Sequence, residues 1–160
     1  MSRTDLITIA LFKLSWLVAI FGQQAWLWLQ LIIVTIAVVT TPIRLALPVI
    51  LFATAGVILD SVLHYTGVLS FVPSTDFIPL YLALLWLSFS ILIIKMKSSL
   101  PTKKLTLSVL FGVAGASGYS AATLAGTTVL SPNFTIAAII IVFAWMTWIT
   151  AAYHWLEDKI

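Results

Sequence analysis

Asp60 is the residue of this sequence that most invites chemistry, because it stands about fifteen residues into an apolar run that opens near Leu45. An ionised carboxylate in hydrocarbon costs several kcal/mol, so an acid inside a membrane helix is a functional hypothesis by default. As a base or as a polar anchor it would sit about 22 Å from the inner end of that run, within reach of the outer interface. The competing structural reading is a protonated carboxyl, or one held by Ser61 or by the loop at the helix end. Tyr119 lies at about the same depth on another apolar run, and a phenol buried there needs a hydrogen-bond partner. A Tyr119–Asp60 contact is therefore expected. His64 follows Asp60 by four residues, and an outer cavity gathering Asp60, His64 and Tyr119 would favour general-base chemistry.

Other polar residues offer less. Lys13 falls about 10 Å from the inner end of the first apolar run, and its four-carbon stem reaches the interface by snorkelling. A direct Lys13–Asp60 pair would span a depth difference of about 10 Å and so needs helix tilt or a bridging water. Gln23, Gln24 and Gln30 supply hydrogen bonds only. His64 and His154 lie near opposite ends of the membrane and cannot share a metal. Trp16, Trp86, Trp145 and Trp148 fall near the middle of their runs, either as walls of an apolar ligand pocket or as packing residues. Trp26, Trp28, Tyr153 and Trp155 suit the interfacial belts. No G-x-S-x-G, phosphate loop, His-rich box or paired carboxylates occur, so no catalytic residue, cofactor or metal is implied.

The elements that position these residues are apolar runs of the length needed to cross a bilayer, roughly 17–25 residues. They cover 6–22, 25–40, 45–63, 77–94, 105–126 and 134–156. Thr41-Pro42-Ile43-Arg44 stops the second, and a loop over 64–76 follows the third. Basic residues then sort by side. Arg3, Arg44, Lys95, Lys97, Lys103, Lys104 and Lys159 fall in inner segments, and the outer loops at 23–24, 64–76 and 127–133 hold none. This sorting predicts six crossings with both termini cytoplasmic. Within the fifth run, Ala114, Gly118, Ala122 and Gly126 recur every fourth residue, with Gly112, Ala116 and Ser120 on a neighbouring stripe. Such spacing lets helix backbones approach closely, toward an internal partner or another subunit.

Composition agrees. Of 160 residues, 62% are hydrophobic and 8% charged, against about 25% charged in a soluble domain. The expectation is a single all-α domain over 1–160, a polytopic helix bundle with lipid as its solvent. Net charge is +3, but the cations sit in loops rather than on one basic face, which argues against nucleic acid as a partner. Cysteine is absent, which removes disulfides and thiolate chemistry. Lys13 interrupts the first run and no small-x-small site precedes Gln23, so that run is expected to be retained as a span.

Several pieces resemble a family of uncharacterised small bacterial membrane proteins, domain of unknown function 2878 (DUF2878). They are Phe12-Lys13-Leu14-Ser15-Trp16, Gly56-Val57-Ile58-Leu59-Asp60-Ser61 and Gly67-Val68-Leu69-Ser70-Phe71. Pro79-Leu80-Tyr81 with Leu85-Trp86, and Phe111-Gly112 through Gly115, Gly118 and Tyr119, complete the match. The family often has Trp in place of Tyr81 and is more polar after the fourth span. The resemblance implies a polytopic inner-membrane protein of Gram-negative bacteria and adds weight to Asp60. It implies no activity.

Three functions are compatible with these features. One is binding or transport support of a small amphipathic molecule, with Asp60, Tyr119 and His64 as polar contacts and Trp86 and Trp145 as walls. It predicts a cavity that opens outward and reaches Asp60. No inverted repeat is evident, which favours a subunit working with a partner over an autonomous transporter. Another is an accessory subunit docking on another membrane protein, or on a second copy, through the fifth span. The third is a lipid-modifying enzyme with Asp60 as base, which lacks a second catalytic group.

Overall fold

A computed structural model describes residues 3–101 and 103–157, without the side chains of 155–157. The polar tail Asp158-Lys159 and the Trp155 indole, expected at the cytoplasmic end and the interface, lie outside the described residues. The described chain is helical apart from two short strands. In order come α1 (Arg3–Leu17), α2 (Leu27–Val39), α3 (Ala46–Tyr65), β1 (Leu69–Phe71), α4 (Leu80–Lys95), α5 (Lys104–Leu124), β2 (Thr128–Leu130) and α6 (Phe134–Glu157). Four helical stretches are long and apolar enough to cross a membrane: Arg3–Gly22, Ile43–Tyr65, Lys104–Leu124 and Phe134–His154. α2 and α4 are apolar but shorter.

Local sequence explains the shortening. The first helix widens into a π-helical turn over Val18–Gly22 and ends at Gln23, whose φ of 44° breaks the helical path. Thr40 closes α2 and Pro42 opens the next turn. Pro79, with φ −62° and ψ 147°, holds the chain extended ahead of α4. A helix therefore starts at Leu80 and not at 77. The stretch expected as a span over 77–94 loses its first turn to that proline.

The chain divides into two compact units, Met1–Val57 with Ile78–Leu100, and Ile58–Phe77 with Pro101–Ile160. In the first, α1 and α2 pack on α4. α4 is covered along much of its length, burying Leu82, Trp86, Phe89, Ile91, Ile93 and Ile94. The rings of Phe12, Phe52 and Trp86 surround Phe89 at centroid distances of 5.5, 6.5 and 5.7 Å. Gly56 admits the Trp86 indole, since an added Cβ would fall 2.1 Å from the ring. The serines buried in α4 return their hydroxyls to their own helix, Ser90 to Trp86 O at 2.7 Å and Ser88 to Leu85 O at 3.0 Å.

In the second unit, α5 and α6 form the most extensive helix pair. Both α3 and α5 end in the same way. Gly67 and Gly126 adopt φ 74° and 75°, and the amides around each satisfy the last helical carbonyls, as a Schellman closure requires. The chain then runs into β1 or β2, which pair antiparallel in the register Leu69↔Leu130, Ser70↔Val129, Phe71↔Thr128. These strands lie inside stretches expected as loops, 64–76 and 127–133. They form because the pairing buries Leu69, Phe71, Thr128 and Leu130.

Candidate functional site

Asp60 sits in the last two turns of α3, fully buried at 0% exposure. Tyr119, buried on α5, donates its hydroxyl to the Asp60 carboxylate. The contact expected from equal depth is therefore made, between segments 59 residues apart. Trp145 of α6 stands edge-on to Tyr119 with ring centroids 6.4 Å apart, and Trp148 lies against Trp145 at 5.6 Å. An aromatic wall thus backs a carboxyl–phenol pair in surroundings where a polar group persists only when hydrogen-bonded.

His64 does a different job. Its Nδ1 lies 3.0 Å from Leu69 O and its Nε2 2.9 Å from Thr75 O, with the ring 5.1 Å from Phe71. Both nitrogens are occupied in tying the 66–77 loop to the end of α3. The triad of Asp60, His64 and Tyr119 is not assembled, so His64 is a loop anchor in this structure. Trp86 and Trp145 fill glycine notches: Trp86 closes on Gly56, and Trp145 on Gly115, where an added Cβ would be 2.3 Å from the ring. An apolar groove of about 310 Å³ is lined by Ile50, Ala53, Thr54, Val57, Ala83, Leu84 and Leu87. None of the expected site residues lines it. Among the described residues no group of three or more His, Cys, Asp or Glu could hold a metal.

The small-residue face of α5 also falls differently from its spacing. Gly112 is a packing position: an added Cβ would come within 2.6 Å of Met146 Cγ and 2.9 Å of Val142 O. Its companion is Gly115. Ala114 is exposed, Gly118 half-buried, Ala122 buried, and Gly126 lies beyond the helix end. A four-residue spacing describes more than one stripe, and α6 takes the one through 112 and 115. Tyr153, expected in an interfacial belt, is buried, whereas Trp26 and Trp28 are exposed. Lys13 is exposed on α1.

One polar cluster has no counterpart among the expected site residues. Gln30 of α2 is fully buried, and its Nε2 donates to Tyr81 O at 2.8 Å and Ser15 Oγ at 3.3 Å. Its Oε1 has no hydrogen-bond partner among the described residues. Three helices converge on this amide, and a lone glutamine in an apolar run gives no sign of that. The one available signal is that Ser15 and Tyr81 both lie in motifs quoted above for the family resemblance.

A family model, described as protein of unknown function (DUF2878), matches residues 5–151, nearly the whole chain. The chain belongs to the DUF2878 family. Comparison with curated proteins and with solved structures finds no match. Among the described residues, the Asp60–Tyr119 pair and the Ser15–Gln30–Tyr81 cluster are two arrangements built on fully buried polar side chains.

Proposed function

We propose that this protein crosses the cytoplasmic membrane of a Gram-negative bacterium six times, with both termini inside, and binds a small amphipathic molecule through Asp60 and Tyr119. The observation that carries the binding reading is the buried carboxyl–phenol hydrogen bond. Holding a carboxyl away from water costs stability that an apolar pair would not. A purely structural bundle has no need of it. Retention of the pair is explained by a ligand whose polar end hydrogen-bonds to both Asp60 and Tyr119 while its tail lies along aromatic and aliphatic side chains.

Strand pairing supports the six crossings. β1 and β2 pair, so the 66–77 and 125–133 loops share one end, and the chain between them has to leave that end and return. Within the second unit, Lys104 Nζ lies 3.5 Å from His154 Nδ1, at the end of α5 and α6 away from the strand pair. A lysine at that end fits a cytoplasmic face. α2 and α4, at about 20 and 24 Å, are short for a hydrocarbon core of roughly 30 Å. Their flanking turns make up the difference.

A second reading, docking on another membrane protein through α5, is favoured by the exposed Ala114 and Ser117. They leave a small-residue face uncovered although Gly112 and Gly115 serve α6. Solvent extraction of the purified protein, followed by mass spectrometry of the extract, separates the two readings. Binding predicts a small molecule present in the wild type and depleted in Asp60→Asn. Docking predicts a co-purifying protein that is lost in Gly118→Leu, with the extract unaffected by Asp60→Asn.

A further inference from the structure

We propose that α3–β1–α4 and α5–β2–α6 are two copies of one helix–strand–helix hairpin, and that Asp60 and Tyr119 are the same position in each copy, meeting across a local two-fold axis. The pair is separated by 59 residues, and the same offset relates several landmarks of the two segments. It carries Gly67 onto Gly126, the two glycines that end α3 and α5 with φ of 74° and 75°. It carries β1 onto β2, residue for residue. It also carries Phe52, Ser61 and Pro73 onto Phe111, Ser120 and Pro132.

Packing repeats as well. Gly56 admits Trp86, and Gly115 admits Trp145, so both members of each glycine–indole notch obey the offset. Each notch lies within its own compact unit, and the repetition is therefore of local design.

The hydrogen bonds place the axis. Ser70 and Val129 are equivalent positions and sit opposite each other at the centre of the strand pair. Flanking them, Val72 N donates to Thr127 O at 2.9 Å and Ser131 N donates to Val68 O at 3.1 Å. Under the offset each of these bonds becomes the other. An antiparallel pair with this register has a two-fold axis through its middle, and Asp60 and Tyr119 meet across the same axis further into the bundle. The two copies run in the same direction through the chain. They form a parallel repeat, the kind related by an axis along the membrane normal.

Resting on the binding reading above, the axis also narrows the ligand's chemistry. A group inserted between the pair has to donate to the Asp60 carboxylate and accept from the Tyr119 hydroxyl. A hydroxyl group does both, an ammonium only donates, and a carboxylate is repelled by Asp60. The fitting ligand class is an amphiphile whose polar end both donates and accepts, of which an alcohol is the simplest.

Exchange of the two residues tests the duplication. A phenol is longer than a carboxyl, so Asp60→Tyr with Tyr119→Asp can rebuild the hydrogen bond only if the two backbone positions are equivalent. Thermal unfolding in detergent is expected to show both single variants well below wild type and the exchanged double variant recovering more than half of the larger loss. A double variant no more stable than the worse single variant overturns the proposal. A second chain, with residues 66–73 replaced by the sequence of 125–132, is expected to fold with a helical spectrum and a cooperative transition. Failure of that chain while a conservative Val68→Ile control folds also counts against duplication. Dodecanol and dodecanoate, added to wild-type and exchanged protein, read the ligand class separately. Stabilisation by the alcohol alone, in both proteins, supports it. No stabilisation by dodecanol overturns the ligand class and counts against the binding reading, and leaves the duplication standing on the unfolding result.

Discussion

The hydroxyl of Tyr119 donates to the carboxylate of Asp60 across two helices, with neither residue exposed above 8%. Removing the hydroxyl takes one hydrogen bond from a buried carboxyl, which costs about 1–3 kcal/mol. Tyr119→Phe is expected to lower stability by that amount, measured by thermal or denaturant unfolding in detergent. Tyr65→Phe, at a site 94% exposed, is the reference and should change little.

Close approach of α5 and α6 depends on Gly115 and Gly112. Gly115→Leu pushes a side chain into the Trp145 ring and should cost about 1–3 kcal/mol, the usual scale of overpacking. Ala114→Leu, one position away on the exposed face, should be close to neutral in the isolated chain. Equal effects at the two positions would mean that α6 uses the other stripe.

Gln30 makes a contrast between two substitutions. Gln30→Leu gives up the bond to Tyr81 O, worth about 1 kcal/mol, and also removes an oxygen that has no partner. The net change should stay below about 1 kcal/mol. Gln30→Glu puts an acceptor against the Tyr81 carbonyl and should be the more damaging of the two by unfolding midpoint.

The proposed topology fixes which loops an external reagent should reach. Introduced into a chain that has no cysteine of its own, single cysteines at Ser74 and Asn133 should react with an impermeant maleimide from outside intact spheroplasts. A cysteine at Ser98 should react only after permeabilisation. Labelling of Ser98 from outside would reverse the orientation, and opposite behaviour of Ser74 and Asn133 would exclude six crossings.

Much of this was legible in the sequence, and the rest was hidden for definite reasons. Apolar runs and their stops located the six α-helices, because a packed apolar helix needs an unbroken apolar run and Pro42, Gly67 and Gly126 end the runs. Depth along a helix was enough to pair Asp60 with Tyr119. The start of α4 was missed because hydropathy does not register that Pro79 holds the chain extended. β1 and β2 were missed because a three-residue strand has no periodicity of its own and forms only when its partner, 59 residues on, is present. The Ser15–Gln30–Tyr81 cluster needs three helices to converge, which no single run reveals. Repeated hairpins escaped notice because most equivalent positions carry different aliphatic residues. The offset stands out at a few positions only, most clearly where backbone or notch geometry demands glycine or tryptophan.

Ligand binding at Asp60 is tested most directly by native mass spectrometry of protein released gently from membranes, with wild type and Asp60→Asn measured side by side. The account predicts a reproducible small-molecule adduct on the wild type that disappears from Asp60→Asn, while the variant keeps its wild-type charge-state distribution and helical content. An adduct-free wild type, or an adduct retained undiminished by Asp60→Asn, would contradict it.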